Sequence, residues 1–384
     1  MPVTAPAATK ASEEGRIVQL IIKVAERCNL NCSYCYMYNH ADQSYLRRPA
    51  FMSDEVFAQL LVRVYEYCER RPKHRMVLVF HGGEPMLMGT ERFRRFTNRA
   101  REKLGEKLKS LQLQSNATLV DDDWITTLRE LGVTVGVSMD GPPEIHDMFR
   151  VDHAGKGSHA SVLNGLRRLQ EHALLSSVLC VVNAAHSGIG VYRYFRSLGI
   201  MRMNFLFPDA THDVKQKLYG QYGETPIADY LIPVFDEWVD EDDPSVKVLC
   251  FEEMIKAILG GKVSSGLIGN SRANYLVIDT DGSIQALDAL KVCWEGVPES
   301  GLNLFEHGFD DLYKGLPLLH RVVHEGIPMC ATCEACDERA ICGGGYLPHR
   351  YSRINGFDNP SIWCQDLLKL FAHVRNYIDT KAGA

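Results

Sequence analysis

Residues 17–36 read IVQLIIKVAERCNLNCSYCY, an apolar, β-branched run that leads directly into three cysteines. The first eight residues predict a strand. Cys28, Cys32 and Cys35 follow on the loop at its carboxyl end. Three thiolates ligate three irons of a [4Fe–4S] cube and leave the fourth iron open, whereas a closed structural site takes four protein ligands. An open position predicts that a substrate or cofactor binds there. The alternative reading is zinc, with His40 available as a fourth ligand.

Downstream the rhythm of strand and helix repeats. SDEVFAQLLVRVYEYCERR (53–71) predicts a helix capped by Ser53 with acids in its first turn. MVLVF, LQLQSN, VTVGVSMD, SSVLCVVN and MRMNFLF continue the strands, with amphipathic helices between them. Six such alternations predict an α/β fold, a partial (β/α)6 TIM-like barrel over 17–215, with its chemistry at the carboxyl ends of the strands. Phe205, Phe207 and Asp209 close the sixth strand, where they are either pocket wall or core and loop. Beyond about Asp213 a helical bridge is expected over 216–270. A smaller domain is expected over 271–384, opening with YLVIDTDGSIQAL, whose Asp-Gly is a hairpin signal. The Ala-rich residues 1–16 are expected to be flexible, and no separate module for binding a leader peptide is apparent.

Composition narrows the function. The chain has 384 residues, 46% of them apolar and 23% charged, enough for a sizeable core. Its 42 Lys and Arg against 48 Asp and Glu give a formal charge of −6, without the basic footprint of a nucleic-acid binder. There is neither a membrane-length apolar run nor a secretory signal, so a cytoplasmic protein is expected. In a reducing compartment the twelve cysteines point to metal rather than disulfides. Cys68, Cys180 and Cys250 lie in helix or strand patterns and read as small core residues. Cys333-x2-Cys336-x5-Cys342-x21-Cys364 supplies four thiolates, sufficient to close a second cluster or to hold zinc.

CNLNCSYC (28–35) resembles the C-x3-C-x-aromatic-C motif of the radical S-adenosylmethionine (SAM) superfamily, and the resemblance extends over residues 17–375. It implies that the open iron binds the amino and carboxylate groups of S-adenosylmethionine, with Tyr34 near the adenine. HGGEP (81–85) resembles the superfamily's GGEP turn, which implies that Gly82, Gly83, Glu84 and Pro85 approach the ligand's ammonium. Asn116 in QSNATL and Ser138 in VSMDG match its polar and ribose-binding positions. Arg150 in HDMFRVDHAGKGSHA matches the arginine that fixes the methionyl carboxylate.

Cys333, Cys336, Cys342 and Cys364, with CGGG at 342–345, resemble the SPASM extension of radical enzymes that modify ribosomal peptides and proteins, anaerobic sulfatase-maturating enzymes among them. The resemblance implies a C-terminal SPASM-type domain with one auxiliary [4Fe–4S] cluster. A second, inner cluster lacks its ligands, because Leu287 and Tyr346 occupy two cysteine positions and the partner near Asn270 is missing. Cys293 and Cys330 are the available substitutes. Asp288 matches an aspartate that resembles a general base, or else it brackets the loop before Lys291. NHADQS, ALDALK and CGGGYLPHRYS…GFDNPSIWC resemble the FxsB-like branch. That branch implies a precursor-peptide cyclase that takes a side-chain β-hydrogen and joins the carbon to an aromatic ring as a cyclophane, served by a flavodoxin or ferredoxin. Sulfatase maturation to formylglycine and thioether formation are the alternatives within the same chemistry. A non-catalytic iron–sulfur electron carrier is the remote one.

Overall fold

The computed structural model describes residues 16–382, apart from 262, 264–267 and 269–271. The expectations for residues 1–15 and for the position near Asn270 lie outside the described residues. The strands are β1 (Gln19–Ala25), β2 (Met76–Gly82), β3 (Leu108–Ser115), β4 (Thr134–Ser138), β5 (Leu175–Val181), β6 (Arg202–Leu206), β7 (Lys247–Val248), β8 (Tyr275–Ile278), β9 (Ser283–Gln285) and β10 (Glu299–Asn303). They form one open sheet in the order β10-β9-β8-β1-β2-β3-β4-β5-β6-β7. The strands β1 to β6 pair in parallel, each followed by a helix, as the α/β expectation requires.

The sheet runs past the six expected strands at both edges. β7 pairs in parallel with β6 from within the 216–270 stretch. On the other side β8 pairs in parallel with β1, and β9 and β10 add antiparallel. The Asp281-Gly282 hairpin is where the sequence places it, and the strand that leads into it, β8, is stitched to the first strand of the chain. This joint brings residues near 288 to the mouth of β1.

Local sequence explains the packing. Ser53 accepts a hydrogen bond from the Val56 amide, 3.1 Å, and starts the helix Asp54–Glu69. That helix lays Phe57 flat on Phe96 of the helix Thr90–Leu104, with ring centroids 4.0 Å apart. In β1 the side chains of Leu20, Ile22 and Val24 are fully buried in the hydrophobic core. The alternate positions, Ile21 and Lys23, point to the opposite face, the inside of the curved sheet. Cys68, Cys180 and Cys250 are buried in the same core, as expected.

Candidate functional site

The cysteine loop is held by backbone bonds on two sides. Asn31 and Ser33 donate to the carbonyls of Val151 and Phe149 at 2.7 and 3.0 Å, and Cys35 donates to the Cys32 carbonyl at 2.9 Å. The strip that carries Arg150 is therefore zipped to the strip that carries the thiols. Burial pushes the Cys28 thiol up to about 12 and the Cys35 thiol to about 11, and it raises Cys32 as well. Thiols in such a place become thiolates only when a cation compensates them, which suits a metal-bound donor set.

Arg150 is buried beside Cys32. One Nη donates to the Tyr34 hydroxyl at 2.7 Å, and that hydroxyl donates to Asp140 at 2.5 Å. Its Nε is buried with no partner among the described residues. A buried guanidinium with an unmade bond beside three thiols fits a missing anionic group, such as the methionyl carboxylate. Tyr34 packs edge-on against Phe149. His40, the fourth ligand of the zinc alternative, lies 3.3 Å from the Tyr34 carbonyl. His146 and Ser158 of the HDxxR…GxGS stretch are 3.0 Å apart, and the Ser158 hydroxyl donates to the Arg150 carbonyl, which supports the arginine from behind.

The GGEP turn is shaped by the chain itself. A Cβ on Gly82 (φ +152°) would lie 2.2 Å from the Ala25 carbonyl oxygen, and one on Gly83 would lie 2.3 Å from that of Arg27. These glycines let the turn close onto the end of β1. Glu84 is buried and accepts from the Met86 amide, the Ser115 hydroxyl and the Asn116 amide at 2.8–2.9 Å, which ties β2 to β3. Pro85 begins the short turn that follows. Asn116 reaches Asn29 at 3.0 Å and the Cys28 sulfur at 3.8 Å. Ser138 accepts from Gln114 at 3.0 Å.

Asp288 is placed by the β8–β9 joint against β1. Its Oδ2 accepts from Lys23 at 2.6 Å and from the Tyr36 hydroxyl at 2.8 Å. Lys23 is fully buried and also faces His81, with Nζ 3.4 Å from Nδ1. Burial works to raise the Asp288 carboxyl, but the Lys23 charge outweighs it and holds the group at about 2. Asp288 also opens the short turn Asp288–Val292, in which Lys291 binds Asp42 and Ser44 at 3.0 and 2.9 Å. Sequence reading passed over Lys23, Tyr36 and His81. The available signal was a lysine alternating with Ile21 on the inner side of an apolar strand, since a buried lysine requires a partner.

Toward the C-terminus, Cys333, Cys336, Cys342 and Cys364 converge. Burial, reinforced by the neighbouring thiols, raises Cys333 and Cys342 to about 12 and Cys364 in the same direction. Cys330 lies beside Cys333 and adds to the upward push on its thiol. Cys293 stands apart, near Asp209 and Asp213. Leu287 is buried core, and Tyr346 lies beside Tyr275. Phe205 and Phe207 belong to the core, whereas Asp209 lies 3.7 Å from His349. Among the described residues no three His, Cys, Asp or Glu side chains stand close enough together to hold a single metal ion. Among the described residues no helix is long and apolar enough to cross a membrane.

Residues 22–183 match the radical SAM superfamily model, so the chain carries a radical SAM domain. A cysteine-type anaerobic sulfatase-maturating enzyme of Clostridium perfringens is 27% identical across 93% of this chain and 96% of its own length. A serine-type enzyme of Bacteroides thetaiotaomicron is 23% identical, covering 94% and 90%. The solved structure of native anSMEcpe with bound AdoMet and Kp18Cys peptide has a TM-score of 0.80 at 25% identity, covering 95% of this chain and 99% of that one. These matches overturn the cyclophane expectation. The similarity that spans almost the whole chain is to sulfatase-maturating enzymes, and nothing in it speaks for ring-to-carbon cross-linking.

Proposed function

We propose that this chain uses its radical SAM domain to oxidise the side chain of a cysteine or serine in a bound polypeptide to the aldehyde of formylglycine, as in anaerobic sulfatase maturation. The carrying observation is Asp288. One carboxylate oxygen is occupied by Lys23 and Tyr36, while Oδ1 takes no hydrogen bond among the described residues and is left to the inside of the sheet. A carboxylate fixed in that way and held ionised can receive the proton of a substrate thiol or hydroxyl.

Cys28, Cys32 and Cys35 would hold an open [4Fe–4S] cluster and Cys333, Cys336, Cys342 and Cys364 an auxiliary one, which together with S-adenosylmethionine supply hydrogen-atom abstraction and an acceptor for the second electron. The rest is work for the chain's own residues. Arg150 offers its free Nε to the carboxylate of the bound nucleotide, and Asn116 holds the cysteine loop. Gly82, Gly83, Glu84 and Pro85 fix the turn, while Tyr34 links Arg150 to Asp140. Ser138 presents a hydroxyl at the end of β4. The oxidation removes two hydrogens, one as an atom and one as a proton plus an electron, and Asp288 takes the proton; from serine this gives the aldehyde directly, and from cysteine a thioaldehyde that water converts to the aldehyde with release of hydrogen sulfide. A flavodoxin or ferredoxin is the reductant this chemistry calls for.

The test is anaerobic incubation of the reconstituted enzyme with S-adenosylmethionine, dithionite and the Cp18Cys peptide or its serine form. An aldehyde at that residue, trapped by a hydrazine and located by fragmentation, is expected. A thioether or an epimerised residue contradicts the proposal.

A further inference from the structure

His81 has no task in the scheme above, yet its surroundings are specific. In β2 the side chains of Leu78 and Phe80 turn into the hydrophobic core, Phe80 against Phe57 and Phe93. His81 therefore turns to the inner face, where it is half-buried and stands in register with Lys23 of β1. The Lys23 ammonium is committed to Asp288 at 2.6 Å and comes within 3.4 Å of His81 Nδ1. An ammonium has three donors and no lone pair, so Nδ1 meets it favourably only as an acceptor. That fixes the hydrogen of the neutral ring on Nε2. Among the described residues Nε2 has no hydrogen-bond partner, and it does not belong to the buried polar atoms that lack one, so it faces open space. The charged and titratable groups around this point are Lys23, Asp288 and Tyr36, with Glu26 and Asp279 acting on Lys23 from further away.

We propose that Lys23 locks His81 as a neutral Nε2–H donor, and that this donor hydrogen-bonds a backbone carbonyl oxygen of the bound peptide beside the residue being oxidised. Tyr36 donates to Asp288, and Lys23 is shared between Asp288 and His81 Nδ1, so among the described residues His81 Nε2 offers a donor on this stretch of wall that neither of them supplies. A peptide backbone presents carbonyl acceptors of the matching kind. The inference rests on the peptide-oxidase reading of the site. Burial and the Lys23 charge hold the imidazole at about 4, against weaker upward pulls from Asp288 and the Gly82 backbone, so the donor stays neutral through the physiological range.

The amide of glutamine can place an N–H where Nε2 stands, whereas asparagine reaches only the Nδ1 position and leucine offers none. Binding of the Cp18Cys peptide to the S-adenosylmethionine-loaded holoenzyme is measured anaerobically by calorimetry. His81→Gln is expected to stay within about threefold of the unsubstituted enzyme. His81→Asn and His81→Leu are expected to bind about tenfold more weakly, the loss of one net hydrogen bond, with S-adenosylmethionine affinity unchanged. Affinity of the unsubstituted enzyme is expected to be flat from pH 6 to 8. Leucine binding as well as histidine, glutamine failing as badly as leucine, or a titration near pH 6.5 that disappears with His81 each overturns the inference while leaving the oxidase reading in place. An unsubstituted holoenzyme that binds no peptide counts instead against the oxidase reading, and this inference falls with it.

Discussion

Replacing Lys23 with methionine keeps the length of the side chain, removes its charge and leaves the Asp288 carboxylate buried with only the Tyr36 hydroxyl as donor. The two side chains are 0% and 9% exposed and meet at 2.6 Å. The carboxyl is held at about 2 against an ordinary 3.8, a difference worth roughly 2–3 kcal/mol. Stranding one partner of a buried pair costs roughly 3–5 kcal/mol, a large share of the roughly 5–15 kcal/mol that holds a domain folded. Asp288→Asn strands Lys23 and should cost a similar amount. The double variant removes both charges, so it should lose less than the two singles together, with a coupling of about 2 kcal/mol. Urea midpoints read by tryptophan fluorescence at matched iron content give the cycle. Single variants that each cost under about 1 kcal/mol, or losses that simply add, would refute the assignment of a tight buried pair.

Three further outcomes are expected. Cys28→Ala, Cys32→Ala or Cys35→Ala should remove one cluster's iron and abolish reductive cleavage of S-adenosylmethionine. Cys342→Ala should remove the other cluster's iron and spare that cleavage, and Cys293→Ala should change neither; iron analysis and 5′-deoxyadenosine assays separate the cases. Gly83→Ala should cost iron as well as stability, because its Cβ would meet the Tyr38 hydroxyl and the Arg27 carbonyl oxygen, the latter at 2.3 Å; iron content after anaerobic reconstitution decides this. Burial, helped by Lys23, lowers His81 to about 4, so between about pH 6.5 and 4 the unfolded chain binds a proton that the folded one refuses. Stability should accordingly fall on acidification through that window, with His81 contributing up to about 1.4 kcal/mol per pH unit, and His81→Gln should flatten the fall measured by urea titration.

How much of this was legible in the sequence depended on how local the signal was. The three cysteines, the six strand–helix units and the Asp281-Gly282 hairpin each declare themselves within a few residues, and the strand–helix units and the hairpin form as read. The Gly82-Gly83 pair was visible, but its cause was not, because the atoms that exclude a Cβ belong to Ala25 and Arg27. β7 has only two residues, too few to show an alternation. The pairing of β8 with β1 is non-local, and the Lys23–Asp288 bond that depends on it spans 265 positions. The branch of chemistry is not legible in NHADQS, ALDALK and the stretch around CGGG, because these are short, whereas the similarity to sulfatase-maturating enzymes spans almost the whole chain.

The most direct measurement follows the hydrogen itself. A Cp18Cys peptide deuterated at both β-positions of its cysteine is turned over anaerobically, and the 5′-deoxyadenosine is weighed by mass spectrometry. The account predicts one deuterium in the nucleoside for each aldehyde formed. Nucleoside released without deuterium while aldehyde accumulates, or no nucleoside at all from enzyme with both clusters filled, would contradict it.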